Sequence, residues 1–417
     1  MQGYSEYELG DLLEYEQPTA YIVESTDYSD SYSVPVLTAG KSFILGYTNE
    51  MDGVFDKTPV IIFDDFTTAT QYVNFPFKVK SSAMKILHIN KDLVLPKYIY
   101  YRIQIIQFDH STHKRYWIQQ YSKIRVSIPP LPEQERIVAR IEELFSQLDA
   151  GVETLKKTKA QLAVYRQAVL KEAFEGNLSA EWRTDHSDCS PARDYESIAI
   201  KDPVYKDTSG DENEIRLTLP DNWIRLRMGD VFSVEVGATP SRRAPEYWNG
   251  TINWVSSGEV RFNRIFSTDE RITEDGLANS STNVQPVGTI MLAMIGEGKT
   301  RGQAAILEIP AAHNQNTAAI LVSATPCDSK YIYYFLQMNY ENTRRVGSGN
   351  NQKALNKERV RALRFPFTSF AEQRVIVEEI ESRMSVCDSI EQTVDAALQQ
   401  AEAMRQSILK DAFEGRL

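Results

Sequence analysis

The stretches "LKEAFEGNL" (170–178) and "LKDAFEGRL" (409–417) are nearly identical and lie 239 positions apart in one chain. The same offset continues without a gap back to the pairs Glu133-Gln134 and Glu372-Gln373. Of the 46 residues aligned in this way, 19 are identical. A match of this length indicates an internal duplication, so two related halves are expected.

Both copies of the repeat have hydrophobic residues at alternating spacings of four and three, which is typical of a helix with one apolar stripe. The stripe residues are Ile141, Phe145, Leu148, Val152, Leu155, Leu162 and Val169 in the first copy, and Ile380, Met384, Val394, Leu398, Ala401 and Ile408 in the second. Sustained over four heptads, this spacing favours a coiled coil in which the two stripes bury each other. Two ordinary amphipathic helices on a globular core are the alternative. Gly176 suits the C′ position at which such a helix ends.

The blocks that precede the repeats, 1–131 and 220–371, resemble each other much less. Both contain "YIYY", at 98–101 and 331–334, at the start of an amphipathic and therefore helical stretch. Apolar runs rich in β-branched residues and bounded by Gly, Pro or Asn predict strands. These runs are TPVIIFDDF, SAMKILHI, GTIMLAMIG, GQAAILEI and NTAAILVSA. The blocks are therefore predicted to be mixed α/β, and the polar, acidic stretch 179–219 is predicted to be an exposed linker.

The composition points to a cytoplasmic protein. No run of about 18 apolar residues is present, so no membrane-spanning helix is expected. The first residues, MQGYSEYELGDLLEYEQ, are acidic and polar, unlike a secretion signal. The three cysteines, Cys189, Cys327 and Cys387, are scattered and predict neither a disulfide framework nor a metal site.

The formal net charge of −11 conceals an uneven distribution of charge. Residues 1–65 contain 13 acidic residues and two lysines, whereas 66–132 contain ten basic residues and two aspartates. Residues 220–371 contain 17 basic and 14 acidic residues. Binding to DNA depends on where a basic face lies and not on the total charge, so DNA remains a candidate partner.

Motifs that resemble catalytic sites are incomplete. "GEGKT" (296–300) lacks the glycine that a phosphate-binding P-loop needs at 293, where Ala293 stands. Its "EGK" resembles only half of a nuclease signature, which needs several carboxylates on divalent metals. A serine-nucleophile elbow, a HExxH pair and a methyltransferase motif are also missing. We therefore expect no catalytic residues and no metal ligands in this chain.

Polar and basic loops occupy corresponding places in the two halves and are candidates for DNA contact, because Arg and Lys suit phosphates and guanine while Asn and Gln suit adenine. In the first half the candidate residues are Lys41, Thr67, Thr68, Thr70, Gln71, His113, Lys114 and Arg115. In the second half they are Ser241, Arg242, Arg243, Lys299, Arg301, Asn314, Gln315, Asn316, Asn350, Asn351, Gln352 and Lys353.

Together these motifs resemble the specificity (S) subunit of type I restriction-modification systems, over essentially the whole chain. The resemblance is carried by "PPLPEQERIVARIEELFSQLDAGVETLKK" with "YRQAVLKEAFEGNLSAEWR", and by their second copy, which has "FAEQ" where the first has "LPEQ". The second block adds "LPDNWIRLRMGDV", "GTIMLAMIGEGKTRGQAAIL", "HNQNTAAI" and "GSGNNQKALN". The first block has "FDDFTTAT" in place of "IGEGKT".

The resemblance implies two target-recognition domains with β-rich cores, separated by two long antiparallel coiled-coil helices. The implied segments are recognition domain 1 (1–131), a spacer helix (132–178), a linker (179–219), recognition domain 2 (220–371) and a second spacer helix (372–417). Each domain would recognise one half of a bipartite double-stranded DNA site. The implied partners are two methyltransferase (M) subunits and restriction/translocase (R) subunits, which would use S-adenosylmethionine, ATP and Mg²⁺ while this chain binds no cofactor.

Three other interpretations remain open from the sequence. The chain could serve a related system in which one methyltransferase is fused to a nuclease, it could be an enzyme with an unrecognised nuclease site, or it could be a coiled-coil adaptor that does not bind DNA. Neighbouring genes, DNA cleavage by the purified chain with Mg²⁺, and sequence preference in gel shifts would respectively distinguish them.

Overall fold

The computed structural model describes residues 3–38, 43–106, 116–201, 216–296, 298–345 and 355–417. The chain is a mixed α/β protein that divides into two compact units. Unit 1 contains residues 1–157 and 394–417, and unit 2 contains residues 158–393. Both boundaries fall inside the long helices of the repeat, so each unit comprises one variable block and part of each helix.

Unit 1 is built mainly from short strands. Its elements are β1 (Ser5–Glu8), α1 (Leu9–Leu12), β2 (Leu13–Glu16), β3 (Val34–Leu37), β4 (Ile44–Thr48), β5 (Val60–Asp64), β6 (Thr70–Val73), β7 (Lys78–Val79), β8 (Met84–Ile89), α2 (Pro96–Gln104), α3 (Tyr116–Gln119), β9 (Arg125–Ile128) and the start of α4 (Leu131–Phe174).

Unit 2 continues from α4 with a similar set of elements. They are α5 (Ala180–Asp185), α6 (Pro191–Ile198), β10 (Ile224–Arg227), α7 (Met228–Val231), β11 (Val234–Val236), β12 (Trp248–Val255), β13 (Asn263–Ile265), β14 (Glu270–Ile272), α8 (Glu274–Ala278), β15 (Ile290–Ala293), β16 (Ala304–Leu307), β17 (Ala312–His313), β18 (Thr317–Ile320), α9 (Ser329–Met338), α10 (Tyr340–Arg345), α11 (Lys357–Ala362), β19 (Arg364–Phe367) and α12 (Phe370–Phe413).

The central sheets of the two units have the same topology. Unit 1 has the strand order β2-β8-β5-β6, and unit 2 has β11-β18-β15-β16 with β13 added at the edge. The first four strands pair antiparallel in both units. In each unit a small second sheet, β4-β3-β7 or β14-β12-β17, accompanies the central one. The duplication seen in the helices therefore extends through both variable blocks.

The predicted strands are confirmed, and their continuous apolar composition has a physical cause. In β15, Ile290 and Leu292 point into the core that contains the helices, whereas Met291 and Ala293 point into a second core on the other face. Strand β5 alternates in the same way between two cores. A strand that is buried on both faces has no solvent-facing positions, so it needs no polar alternation.

The two long helices run antiparallel to each other within each unit. In unit 1, Arg136 of α4 donates to the carbonyl oxygen of Leu417, just past α12, at 3.2 Å, and Asp149 forms an ion pair with Arg405. In unit 2, Lys159 of α4 pairs with Glu391 of α12 at 3.5 Å and Arg166 pairs with Asp388 at 2.7 Å, so the residue numbers rise along one helix and fall along the other. The predicted stripe residues are buried or half-buried along both helices, and the coiled-coil prediction is confirmed.

The repeated glutamines join each long helix to the variable block of its unit. The side-chain oxygen of Gln134 accepts from the backbone N–H of Leu95 at 2.7 Å, and that of Gln373 accepts from Asp328 at 3.1 Å. Leu95 and Asp328 are the N-cap residues of α2 and α9. Each glutamine also donates to the carbonyl oxygen five residues earlier, at 2.8 and 2.9 Å. The "YIYY" helices are thus positioned by the same buried contact in both units.

Residues 179–201 of the predicted linker are mostly exposed, but they contain α5 and α6 and make contacts with unit 2. The carboxylate of Asp194 accepts from the backbone N–H of Phe370 at 2.9 Å, and Tyr195 and Ile198 pack against the core of unit 2. The polar composition concealed these contacts because few apolar side chains are needed to fix short helices against an existing core. The remainder of the predicted linker up to residue 215 lies outside the described residues.

Candidate nucleic-acid interface

Three of the loops predicted to contact DNA lie at one end of the central sheet of unit 2. Strand β15 ends where β18 begins, because Ala293 pairs with Thr317, and β11 ends at the same side of β18. The loops that follow or precede these strand ends are 237–245, 294–303 and 313–316. The sheet topology, and not the sequence order, brings them together.

Hydrogen bonds connect these loops to one another and to the segment after α9. Thr239 donates to the side-chain oxygen of Gln315 at 2.6 Å, which joins the first loop to the third. The Arg344 guanidinium donates to the carbonyl oxygen of Gly298 at 2.6 Å, which joins α10 to the second loop. The predicted loop 342–357 therefore begins beside the other three.

Unit 1 places its hairpin β5–β6 in the equivalent position. Asp64 pairs with Met84 at the start of β8, so the turn 65–69 lies at the same end of the equivalent sheet. Tyr116, the first described residue after 106, lies beside this turn, because its backbone N–H donates to the carbonyl oxygen of Asp65 at 3.1 Å. The side chain of Asp65 forms a buried ion pair with Lys85 at 3.5 Å.

Most of the described candidate residues are accessible. Thr67, Gln71, Ser241, Arg242, Arg243, Lys299 and Gln315 are exposed, and Thr68, Thr70, Arg301 and Asn316 are half-buried. The guanidinium of Arg301 donates to the carbonyl oxygen of Arg344 at 3.0 Å. The candidates outside the described residues are Lys41, His113, Lys114, Arg115, Asn350, Asn351, Gln352 and Lys353. No observation tests contact with DNA for any of them, so all remain predictions.

Arg242 differs from its neighbour Arg243 because it already has partners. Its guanidinium lies over the indole ring of Trp248, 3.7 Å from the centroid, and forms a bidentate ion pair with Glu270. The hydrogen bonds from Arg242 lower the pKa of the Glu270 carboxyl below its ordinary value. These contacts hold the Arg242 guanidinium in one orientation. A side chain that is already fixed loses less conformational freedom on binding than a mobile one does.

The "HNQN" motif forms a turn whose first two residues, His313 and Asn314, are buried. The side-chain oxygen of Asn314 accepts from the backbone N–H of Asn316 at 3.0 Å, so Asn314 shapes the turn from inside while Gln315 is exposed. His313 is 1% exposed, and its Nδ1 lies 2.9 Å from the Thr317 hydroxyl. Burial lowers the pKa of His313 to about 4, so the imidazole is neutral at pH 7.

No metal centre or membrane segment emerges from the part of the chain that the structure describes. None of its clusters of His, Cys, Asp and Glu contains three or more side chains arranged to hold a metal ion. Within the same residues, no helix is both long and apolar enough to span a bilayer.

Each unit also contains a cleft between its long helices and its "YIYY" helix. In unit 2 the lining includes Arg166, Lys330, Tyr333, Tyr334, Gln337 and Glu381. In unit 1 it includes Tyr100, Tyr101, Gln104, Glu142, Phe145 and Arg405. Two tyrosines, a glutamine, a glutamate and an arginine occupy equivalent positions of the repeat in the two clefts. The variable blocks differ in their loops but share this surface.

The prediction of candidate residues missed two exposed apolar side chains at the hairpin turns. Phe66 is 51% exposed and Ile295 is 46% exposed. All the candidate residues in these loops are polar or basic. A large apolar residue beside the polar residues of each turn is the feature of the sequence that indicates them.

The chain belongs to the family of type I restriction modification DNA specificity domains. The family model matches residues 1–163 and 220–400, which covers both units. The two matched regions coincide with the two halves of the internal duplication.

Among individual proteins, the chain is similar to the type I restriction enzyme EcoR124I/EcoR124II specificity subunit of Escherichia coli. The two are 31% identical over 401 residues, which cover 92% of this chain and 87% of that protein. The fold of this chain resembles that of a chain in a structure of a type I R-M system. The TM-score is 0.67, and the identity is 15% over 100% of this chain and 99% of the other. The fold also resembles that of the HsdS subunit of Thermoanaerobacter tengcongensis, with a TM-score of 0.50 and 15% identity over 100% and 98%.

Proposed function

We propose that this protein is the DNA-recognition subunit of a type I restriction-modification complex, in which each unit contacts one half of a bipartite double-stranded DNA site. The observation that carries the proposal is that candidate loops lie at the equivalent end of the central sheet in both units, three loops in unit 2 and the β5–β6 hairpin in unit 1. Because the loops differ in sequence, the two half-sites differ as well. The 31% identity to an E. coli specificity subunit supports this assignment.

The long helices set the spacing between the two half-sites. Each helix contains 44 residues, and at 1.5 Å per residue it is about 66 Å long. Successive turns of B-DNA are about 34–36 Å apart, so a helix of this length exceeds one turn. The gapless alignment of the two helices is expected from a spacer whose length matters.

Two M subunits dock on the matched clefts, one on each. A surface that is repeated within one chain suits two copies of the same partner, because each copy meets the same tyrosines, glutamate and arginine. Recruitment of R subunits completes the restriction complex. The proposal places the assembly in the cytoplasm.

The chemistry belongs to the partners, which use S-adenosylmethionine, ATP and Mg²⁺, while this chain binds no cofactor and is not an enzyme. Glu270, one of the acidic residues near the incomplete nuclease motif, is engaged by Arg242, which supports a structural role for that carboxylate. Incubation of the purified chain with plasmid DNA and Mg²⁺ tests this part. Cleavage by the chain alone would contradict it.

Exchange of residues 220–371 for the corresponding block of another family member tests the modular reading of DNA. Expression with the M subunit, followed by methylome sequencing, should reveal a target in which only one half-site has changed. Changes in both half-sites, or in neither, would contradict independent recognition by the two units.

Shortening both long helices by one heptad tests the spacer. Removal of 150–156 and 389–395, which are equivalent positions of the repeat, should change the number of bases between unchanged half-sites. An unaltered spacer in the methylome of the variant would refute the role of the helices.

A further inference from the structure

The turns β5–β6 and β15–β16 begin with the same pattern of buried and exposed residues. The first residue after the strand is buried in both units, Asp65 at 2% and Met294 at 4% exposure. The second is a large apolar residue, Phe66 or Ile295, that is about half exposed. Scattered single apolar residues are common on protein surfaces. Here, however, an exposed large apolar side chain recurs at equivalent positions of two blocks whose loops otherwise differ.

The equivalence of these positions rests on a backbone contact and not on sequence similarity. The carbonyl oxygen of Asp65 accepts from the N–H of Tyr116 at 3.1 Å, and that of Met294 accepts from the N–H of Leu355 at 3.0 Å. Tyr116 and Leu355 are 239 positions apart, which is the offset of the helical repeat. The residues that follow Asp65 and Met294 are therefore structural counterparts.

Hydrogen bonds fix the backbone from which both side chains extend. In unit 1, the Asp64 carboxylate accepts from the backbone N–H of Phe66 at 2.9 Å, and the N–H of Thr68 donates to the Asp64 carbonyl oxygen at 2.9 Å. In unit 2, the N–H of Met294 donates to Asn316 at 2.8 Å, which fixes the backbone that precedes Ile295. An exposed apolar side chain on a fixed backbone loses less conformational freedom on binding than one on a mobile loop does.

We infer that Phe66 and Ile295 each make an apolar contact with a base in their own half-site. This inference rests on the DNA-recognition function proposed above. The side chains of Phe66 and Ile295 are both large and apolar, but only that of Phe66 is aromatic, so stacking of a ring on a base cannot be common to both. The contact that both can make is with a thymine methyl group or by insertion at a base step. The exposed Thr67 and Lys299 nearby leave polar contacts available around each apolar one.

The test compares Phe66→Ala and Ile295→Ala with Phe266→Ala, all in complex with the M subunit. Phe266 is 68% exposed and follows β13, which runs parallel to β16 and so ends at the opposite end of the same sheet. We expect each hairpin variant to lose on the order of tenfold affinity for the cognate duplex. The losses should map to different half-sites, and Phe266→Ala should bind like the unaltered chain. Because the altered side chains are exposed, equal thermal unfolding should verify folding, and Phe66→Leu should retain most of the affinity.

Modified duplexes identify the base contact. If a thymine methyl is contacted, its replacement by uracil weakens the unaltered complex and leaves the corresponding alanine variant unaffected. If a step is opened, 2-aminopurine at that step brightens with the unaltered complex and not with the variant. Normal affinity and base preference in both alanine variants would overturn the inference while the DNA-recognition function stands. Loss of all sequence preference in the unaltered complex would instead overturn both.

Discussion

Unit 1 and unit 2 share backbone contacts but use different side chains at equivalent positions. Glu133 and Glu372 occupy the same place in the repeat, yet the side chain of Glu133 is 37% exposed and that of Glu372 is 2% exposed. Glu133 pairs with Arg136 on its own helix, whereas Glu372 pairs with Arg183 at 2.6 Å. The same residue in two copies of a repeat can therefore differ in energetic role, because its partners are not repeated: Arg136 corresponds to Val375, and Arg183 lies outside the repeat.

The buried carboxylate of unit 2 has an extensive set of donors. Besides Arg183, Glu372 accepts from Ser179 at 2.7 Å and from the Trp223 indole at 3.1 Å, and it contacts the hydroxyl of Thr368. These donors come from the segment after α4, from the residues before β10 and from the residues before α12. A buried charge with several hydrogen bonds can fix the relative positions of such segments.

The largest expected difference between the units comes from removal of these two glutamates. Glu372→Ala should lower the free energy of unfolding by about 3–5 kcal/mol, because it leaves the Arg183 guanidinium without its counter-ion and strands buried donors. Glu133→Ala removes only an exposed ion pair and should change the free energy of unfolding by less than about 0.5 kcal/mol. Urea unfolding of both variants measures the difference, and similar losses would contradict the assigned roles.

A second difference is the buried histidine of unit 2. Because burial lowers the pKa of His313 to about 4, while an unfolded histidine titrates near its ordinary value, protons bind preferentially to the unfolded chain below about pH 6.5. Stability linked to His313 is thus complete above that pH and is lost progressively as the pH falls towards 4. Between pH 7 and 4.5 the unaltered chain should lose about 2–3 kcal/mol more than His313→Gln.

The control for His313 is His88, which lies on strand β8 of unit 1. Its side chain is 31% exposed and bonds Glu16 at 2.7 Å. We expect His88→Gln to follow the pH dependence of the unaltered chain more closely than His313→Gln does. Parallel pH curves for the chain and His313→Gln in urea titrations would argue against a histidine that stays neutral in the folded protein.

A feature common to both units should respond equally in both. Gln134→Leu and Gln373→Leu each remove an acceptor for a helix N-cap N–H and a donor to a carbonyl oxygen, and both side chains are fully buried. Each replacement should cost about 2 kcal/mol, because buried backbone groups are left unsatisfied. Denaturant unfolding measures both, and a loss confined to one variant would show that only one unit depends on the contact.

The sequence predicted the repeated features far better than the unique ones. The long helices followed from periodicity and from the offset of 239, and β5, β8, β15, β16 and β18 followed from apolar runs rich in β-branched residues, because these patterns depend on local sequence. The burial of Glu372 could not be predicted, since its partner Arg183 lies 189 residues away. The ion pair of Asp65 with Lys85 was not predicted either, because it depends on the pairing of β5 with β8 and not on a local pattern. Phe66 was overlooked because exposed apolar residues carry no periodic signal.

The smallest expected difference concerns the equivalent arginines of the two long helices. Arg405 pairs with Asp149 and lies over the Phe145 ring, 4.3 Å from its centroid, whereas Arg166 pairs with Asp388 and Glu391. Replacement of either arginine by Gln should cost less than about 1 kcal/mol, because all these pairs are partly exposed. Raising the salt concentration to 1 M should reduce the cost of Arg166→Gln more than that of Arg405→Gln. Salt screens the ion pairs of both arginines, whereas the contact of Arg405 with an aromatic ring retains its packing component. Urea unfolding at low and high salt compares the two variants, and equal salt dependence would mean that the Phe145 ring adds nothing to the ion pair of Arg405.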